Sequence, residues 1–391
     1  MSAKTGESSI LFDFSCSRGG YVLWGELQIR ADDVDLATER IWISMAILDH
    51  WHPILPSNQL KKNAVAGVRL AGHDLVLFRN SKNELGALTN TCPHRRMKFS
   101  LGKVHHDKLQ CGYHGWTFDR QGAGESPATP KLYACAEHFE TTERFDTIWV
   151  RNAGAATEFP KFDVDGHYNV CNLNHRIKAP LELTVDNFCE IEHTPTTHAF
   201  FGYPLERMHE VQVEFQPTDT SVRVINQGPR KNISFLLRTL VGIGNDYLFM
   251  DDWTTYFSPV YSVYDHWWQC PKTGTESMVR WRLYIFFVPV DDCDTALFTF
   301  AFTKSRYPGR FGGMRLFQWL MRSQLDYEIQ LDVRILEGLA DKNPSIEGMK
   351  LSRFDRVLGL NRERIERIYR SNNAPNADSA RPAVKEYRAA G

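Results

Sequence analysis

Hydrophobic and polar positions follow two textures along this chain. Between about Trp51 and Asn152 the apolar runs are short. Ala66–Leu70, Leu75–Phe78 and Thr147–Val150 are rich in Val, Leu and Ile and are separated by Gly, Asn, Asp and Pro. That pattern predicts a small antiparallel β domain. A turn-rich stretch from Asn152 through Gly154 to Pro160 closes it. Beyond, Val211–Ile225, Leu248–Trp268, Met278–Val290 and Ala296–Thr303 alternate as long strands, whereas Pro180–Phe200, Met314–Ala340 and Leu360–Tyr369 have helical spacing. A large antiparallel sheet packed by helices, an α+β layout, accounts for the mixture. The expected division is an N-terminal segment over 1–43, a β domain over 44–153, a second domain over 154–371 and a mobile Ala-, Asn- and Pro-rich tail over 372–391. Asp33–Leu48, across the first boundary, has loosely helical spacing.

Composition narrows the function. The 391 residues include 46 basic and 47 acidic side chains, a net charge of -1. So even a balance argues against a nucleic-acid partner. No apolar run is long enough for a membrane helix. The start, MSAKTGESSI, has no charged residues leading into an apolar core, so a cytoplasmic location is expected. No Gly-rich nucleotide loop follows a strand, so the chain itself is not expected to bind FAD or NAD. The eight cysteines then point to a reducing compartment and, where they cluster with histidine, to a metal.

One such cluster is clear. Cys92-Pro93-His94 and Cys111-Gly112-Tyr113-His114 are two pairs separated by 16 residues, each offering one thiolate and one imidazole. A zinc finger places two cysteines in one pair and two histidines in the other. One of each per loop suits two neighbouring metals, one held by both sulfurs and one by both imidazoles, as in a Rieske [2Fe–2S] cluster. Pro93, Gly102, Gly112 and Gly115 suit tight loops around it. A zinc site, or four buried residues, is the alternative. Cys16, Cys135, Cys171, Cys189, Cys270 and Cys293 show no ligand pattern and read as reduced, mostly buried thiols.

A second group lies further on. Glu190 and His193 are three residues apart and share a helix face. His193 and His198 would point ~140° apart on a regular helix, but Pro195 between them disfavours one, which lets the imidazoles converge. Two histidines alone fit a structural role equally well. On the later helix Leu325, Ile329, Asp332, Leu336 and Leu339 fall within ~40° of one another. Asp332 thus sits in the middle of an apolar stripe, where a carboxylate needs a metal or a cation. Asp326, Glu337 and Asp341 point away, and Glu328 lies at the edge of the stripe. His193, His198 and Asp332 together have the composition of a 2-His-1-carboxylate triad for Fe(II).

The stretch CPHRRMKFSLG…CGYHGWTFD resembles the Rieske domain of the ring-hydroxylating and related Rieske non-haem iron oxygenases, large (α) subunit. Asn187-x-x-Glu190-x-x-His193-x-x-x-x-His198 and Asp332-Val-Arg-Ile335-Leu-Glu337 resemble that family's catalytic domain, so the similarity spans roughly residues 45–340. The resemblance implies Cys92, His94, Cys111 and His114 as cluster ligands and His193, His198 and Asp332 as ligands of a mononuclear Fe(II). It implies a small all-β Rieske domain plus a helix-grip (START-like) antiparallel-sheet catalytic domain. It also implies a terminal oxygenase that takes electrons from NAD(P)H through a separate reductase, with or without a ferredoxin. Such an enzyme uses O₂ to hydroxylate or oxidatively demethylate a small organic molecule, aromatic or quaternary-amine. In the family the two centres of one subunit lie too far apart for fast transfer, which implies a head-to-tail ring, typically a homotrimer.

The family's bridging carboxylate is usually Asp. Here Glu190 stands there, one methylene longer, and the resemblance implies it as the electron-transfer bridge. Phe200, Phe201 and Tyr203 are pocket candidates, ahead of the aromatic run Trp253–Trp268. Arg95, Arg96 and Lys98 suit docking of an acidic electron donor. The remaining histidines, His266 among them, lack ligand spacing and read as structural or exposed. The competing functions are a Rieske electron-transfer protein with a ligand-binding domain and no oxygenase activity, and a zinc-stabilised binding module.

Overall fold

The computed structural model describes residues 46–306 and 317–371, with the backbone of two short strands, Ser9–Ile10 and Leu27–Gln28. The rest of the expected N-terminal segment and the tail over 372–391 lie outside the described residues. The chain divides into two compact units, Met1–His50 with Ile54–Thr157 and Trp51–Pro53 with Glu158–Gly391.

Among its described residues the first unit is built mainly of β-strands. A six-stranded sheet runs in the order His52–Pro56, Thr147–Asn152, His138–Arg144, Leu85–Thr89, His73–Arg79 and Ala64–Leu70. A smaller sheet of five short strands holds Lys103–His105, Lys108–Gln110, Thr117–Phe118, Ala123–Glu125 and Tyr133–Cys135. Val76, Phe78, Leu88, Phe99, Leu109, Trp116 and Phe118 form one buried cluster with Cys92 and Cys111. The exposed Cys135 is disulfide-bonded, which corrects the expectation of a reduced thiol there. Pairing depends on what the fold brings within reach, which spacing along the chain does not reveal. Cys171, Cys189, Cys270 and Cys293 are free.

The second unit is built on a seven-stranded antiparallel sheet. Its strands are β1 (Tyr168–Ile177), β2 (Gln212–Pro217), β3 (Ser221–Pro229), β4 (Leu248–Phe257), β5 (Val260–Gln269), β6 (Val279–Pro289) and β7 (Thr295–Ser305), in the spatial order β1-β7-β6-β5-β4-β3-β2. Two of the long strands expected from alternation are hairpins instead. Turns at Thr218–Thr220 and Ser258–Pro259 reverse the chain, and the period-2 pattern continues on the far side of each.

The helices are α1 (Leu181–Phe188), the single turn α2 (Thr194–Thr197), α3 (Phe235–Val241), α4 (Gln318–Glu337) and α5 (Arg356–Arg364). α4 ends three residues before the expected Ala340, where Gly338 lowers helix propensity. It lies along β1, to which the Gln318 amide donates at the Val170 carbonyl (2.6 Å). Its buried residues are Leu325, Glu328, Ile329, Asp332 and Leu336, while Leu339 is exposed. A fully buried Leu or Ile contributes about 1.5–3 kcal/mol. A bare charge in the same stripe costs more than one such residue supplies, so the two acids need partners.

Candidate metal centres and the adjoining cavity

In the first unit, two loops are closed by the same pair of backbone hydrogen bonds. Cys92 N donates to Met97 O (2.9 Å) and Arg96 N to Cys92 O (2.8 Å); Cys111 N donates to Trp116 O (2.8 Å) and Gly115 N to Cys111 O (3.1 Å). Arg96 and Gly115 occupy matching places, and both have left-handed backbone, φ +57° and +74°. Glycine adopts this freely; arginine does so at a cost the loop imposes. Cys92 and Cys111 are buried at the loop bases, and burial pushes the Cys92 thiol up to about 11. His94 and His114 are exposed at the tips with ring centroids 4.7 Å apart, and His94 stacks on Trp116 (5.2 Å). Two buried, unbridged thiols under two paired imidazoles are a donor set that fits a [2Fe–2S] cluster. Beside the tips, Arg95 lies over the Tyr113 ring (5.9 Å) and Lys98 pairs with Asp74 (3.3 Å).

In the second unit, α1 stops at Cys189 and the chain turns through Glu190 into α2, so His193 and His198 flank one helical turn. Their Nε2 atoms are 3.1 Å apart. Asp332 Oδ1, from α4, is 3.4 Å from the first and 3.3 Å from the second. Donors sharing one metal at bonds of about 2.1 Å lie about 3.0 Å apart at right angles and about 3.4 Å apart in a tetrahedron. The triangle has that size.

The outer nitrogens explain why it holds together. His193 Nδ1 bonds to the Glu190 carboxylate, and His198 Nδ1 to Glu328 Oε2 (2.9 Å). Ionised carboxylates only accept, so each Nδ1 carries the proton and each Nε2 presents a lone pair. Two lone pairs and a carboxylate oxygen then meet at one point, an arrangement that a cation resolves. Burial lifts the Asp332 carboxyl, but when the two imidazoles carry a second proton, at Nε2, their hydrogen bonds outweigh it and hold the group at about 2. Burial would lower His193, yet Asp332 and Glu190 raise it to about 9. The three carboxylates thus draw positive charge into their midst, and a divalent metal fits. Asn187 Nδ2 donates to Asp332 Oδ1 (3.1 Å). Lys231, whose amine burial lowers to about 8, donates to the carbonyls of Thr194 (2.6 Å) and His198 and ties down α2.

A cavity opens onto this triangle. Phe188, Phe201, Leu283, Ile285, Leu325 and Ile329 supply much of its apolar wall, with Trp253, Tyr264, Asp251 and His266 from β4 and β5. Gly202 also lines it; a Cβ there would meet the Thr194 hydroxyl at 2.3 Å. Of the three expected pocket aromatics, Phe201 is on the wall. Phe200 packs on Trp268 (5.2 Å) and Tyr203 is buried against Phe249 (5.4 Å).

Sequence reasoning missed Glu328, Lys231, Asp251 and His266. Glu328 precedes Asp332 by four residues and so shares its helix face. Asp251 and His266 stand at inward positions of their strands, two residues from Trp253 and Tyr264. Lys231 gave no signal along the chain.

Residues 50–139 match the Rieske [2Fe-2S] domain family. The 5,5'-dehydrodivanillate O-demethylase oxygenase subunit of Sphingobium sp. is 42% identical over 87 residues, 21% of this chain and 20% of that one. The methylxanthine N1-demethylase NdmA of Pseudomonas putida is 35% identical over 124 residues, 29% and 35% of the two chains. These matches span a fifth to about a third of the relatives' lengths. The solved structure of dicamba monooxygenase bound to 3,6-dichlorosalicylic acid superposes with a TM-score of 0.69 at 17% identity, over 83% of this chain and 97% of that one. The QL mutant of Pseudomonas putida NdmA with caffeine gives 0.65 at 21%, over 85% and 92%. Among the described residues no helix is long and apolar enough to cross a membrane. The paired loops thus belong to a Rieske [2Fe–2S] domain, carried on a chain with the fold of Rieske oxygenase catalytic subunits.

Proposed function

We propose that this chain is the terminal oxygenase component of a multicomponent Rieske oxygenase. The observation that carries the reading is the convergence of two Nε2 lone pairs and the Asp332 carboxylate beside an apolar cavity. A Rieske electron-transfer protein with a ligand-binding domain needs no such point. Cys92, His94, Cys111 and His114 would hold the [2Fe–2S] cluster, and His193, His198 and Asp332 a mononuclear Fe(II). Bound there, the iron would supply O₂ activation, and the cluster the electrons for it.

The protein's own residues supply position. Glu190 and Glu328 fix the imidazole tautomers, and Lys231 fixes the turn between them. The apolar wall excludes water and holds a small organic substrate. Glu190, at the outer nitrogen of His193, is where an electron-transfer bridge would enter. Electrons would come from NAD(P)H through a separate reductase or a ferredoxin, docking near the exposed His94, His114 and Arg95. A cytoplasmic setting and a homotrimeric ring suit this supply. Because two of the relatives above are named as demethylases, oxidative demethylation or hydroxylation of a small aromatic compound is the favoured chemistry.

Metal analysis tests the reading. Three irons per chain are expected, two in the cluster and one in the triad, with substrate-dependent O₂ uptake when NAD(P)H and a surrogate reductase are supplied. Two irons and no uptake would leave an electron carrier.

A further inference from the structure

Outside the metal donors, the cavity wall holds one more buried ionisable pair. Asp251 and His266 face each other directly across β4 and β5, and His266 Nε2 lies 2.9 Å from Asp251 Oδ1. Both are more than nine-tenths buried, and both line the cavity. An ionised Asp251 only accepts, so Nε2 carries the proton and the other ring nitrogen, Nδ1, presents a lone pair. That Nδ1 is buried with no hydrogen-bond partner. Trp253, on the same face of β4 and on the same wall, has an indole N–H that is likewise buried and unpartnered.

The neighbouring polar groups are already spent. The Tyr264 hydroxyl donates to the Phe188 carbonyl, and the Thr194 hydroxyl to the Ile191 carbonyl (2.8 Å). Among the buried lining atoms, one nitrogen acceptor and one N–H donor are left without a partner. Native proteins rarely leave such buried groups unmet. A hydroxyl suits either atom, since it can donate to His266 or accept from Trp253. A negatively charged ligand is disfavoured, because Asp251, Glu190, Glu328 and Asp332 all line the same cavity. The aromatic and branched walls suit a flat ring.

We infer that the Asp251–His266 pair is the recognition element of this cavity and selects a neutral aromatic ring with a free hydroxyl, a phenol. The inference rests on the cavity being the substrate chamber of the proposed oxygenase, and it names the substrate class.

The test is calorimetric titration of the iron-loaded protein with two matched pairs, phenol against anisole and guaiacol against veratrole. In each pair the ether caps a hydroxyl with a methyl group. The hydroxyl-bearing member is expected to bind about tenfold more tightly or better in at least one pair, because the ether leaves the site's buried acceptor unpaired. His266→Phe should erase that difference. Asp251→Asn, nearly isosteric, should shrink it, since the amide donates to Nε2 and moves the imidazole proton to Nδ1. No preference in either pair, or a preference that survives both variants, overturns the assignment. O₂ uptake without a phenol preference sinks this inference alone. A phenol preference without O₂ uptake sinks only the oxygenase reading.

Discussion

Asp332 and Glu328 stand one turn apart on α4, and the same buried stripe gives them different tasks. Asp332 offers an oxygen to the point where the histidines meet, while Glu328, 3% exposed, holds the outer nitrogen of His198. Asp332 was legible because a carboxylate in the middle of an apolar stripe demands a partner. Glu328 was not, because an edge position becomes buried only when α2 and the Phe200 backbone close over it. Asp332→Ala is expected to keep the Rieske absorption and EPR signals, lose the mononuclear iron and abolish turnover. Retention of a third iron would remove Asp332 from the ligand set. Glu328→Gln keeps the size but weakens the acceptor, and Fe(II) affinity should fall about 10–100-fold by competition with a chelator, with the cluster untouched.

At the scale of elements, α2 is too short to hold its own shape. A single turn is unfavourable without outside support. Lys231, two residues beyond β3, supplies it by binding the carbonyls of Thr194 and His198. Lys231→Met should therefore raise amide exchange over residues 193–198 and speed iron loss under chelator, while the melting of the Rieske domain stays unchanged. Equal exchange in both proteins would show that α2 is held by other contacts. Local spacing explains what could be read here. Pro195 announced the break that lets two histidines converge. Alternation announced strands but not their direction, so the hairpins at Thr218–Thr220 and Ser258–Pro259 were invisible as turns, and so was the cross-strand meeting of Asp251 with His266.

At the scale of the whole molecule, the Cys-His quartet was legible because its four donors lie within 23 positions of one another, Cys92 to His114. The strand order of the large sheet, which sets β1 against β7, was not, since it is fixed by packing between distant segments. If electrons pass between neighbours in a ring, two inactive variants should repair each other. Cys92→Ser and Asp332→Ala, each inactive alone, should recover part of the activity when co-expressed and co-purified as mixed oligomers. No recovery in verified mixtures would confine transfer to one chain. The burial of the cluster's sulfur side has a further consequence. Cys92 and Cys111 pack with Phe99, Leu109 and Trp116 in the hydrophobic core of their domain, so cofactor delivery and the final collapse of that core are one event. When iron–sulfur supply is short, the shortfall should then show as missing protein, cleared by proteases before maturation, rather than as a stockpile awaiting its cofactor.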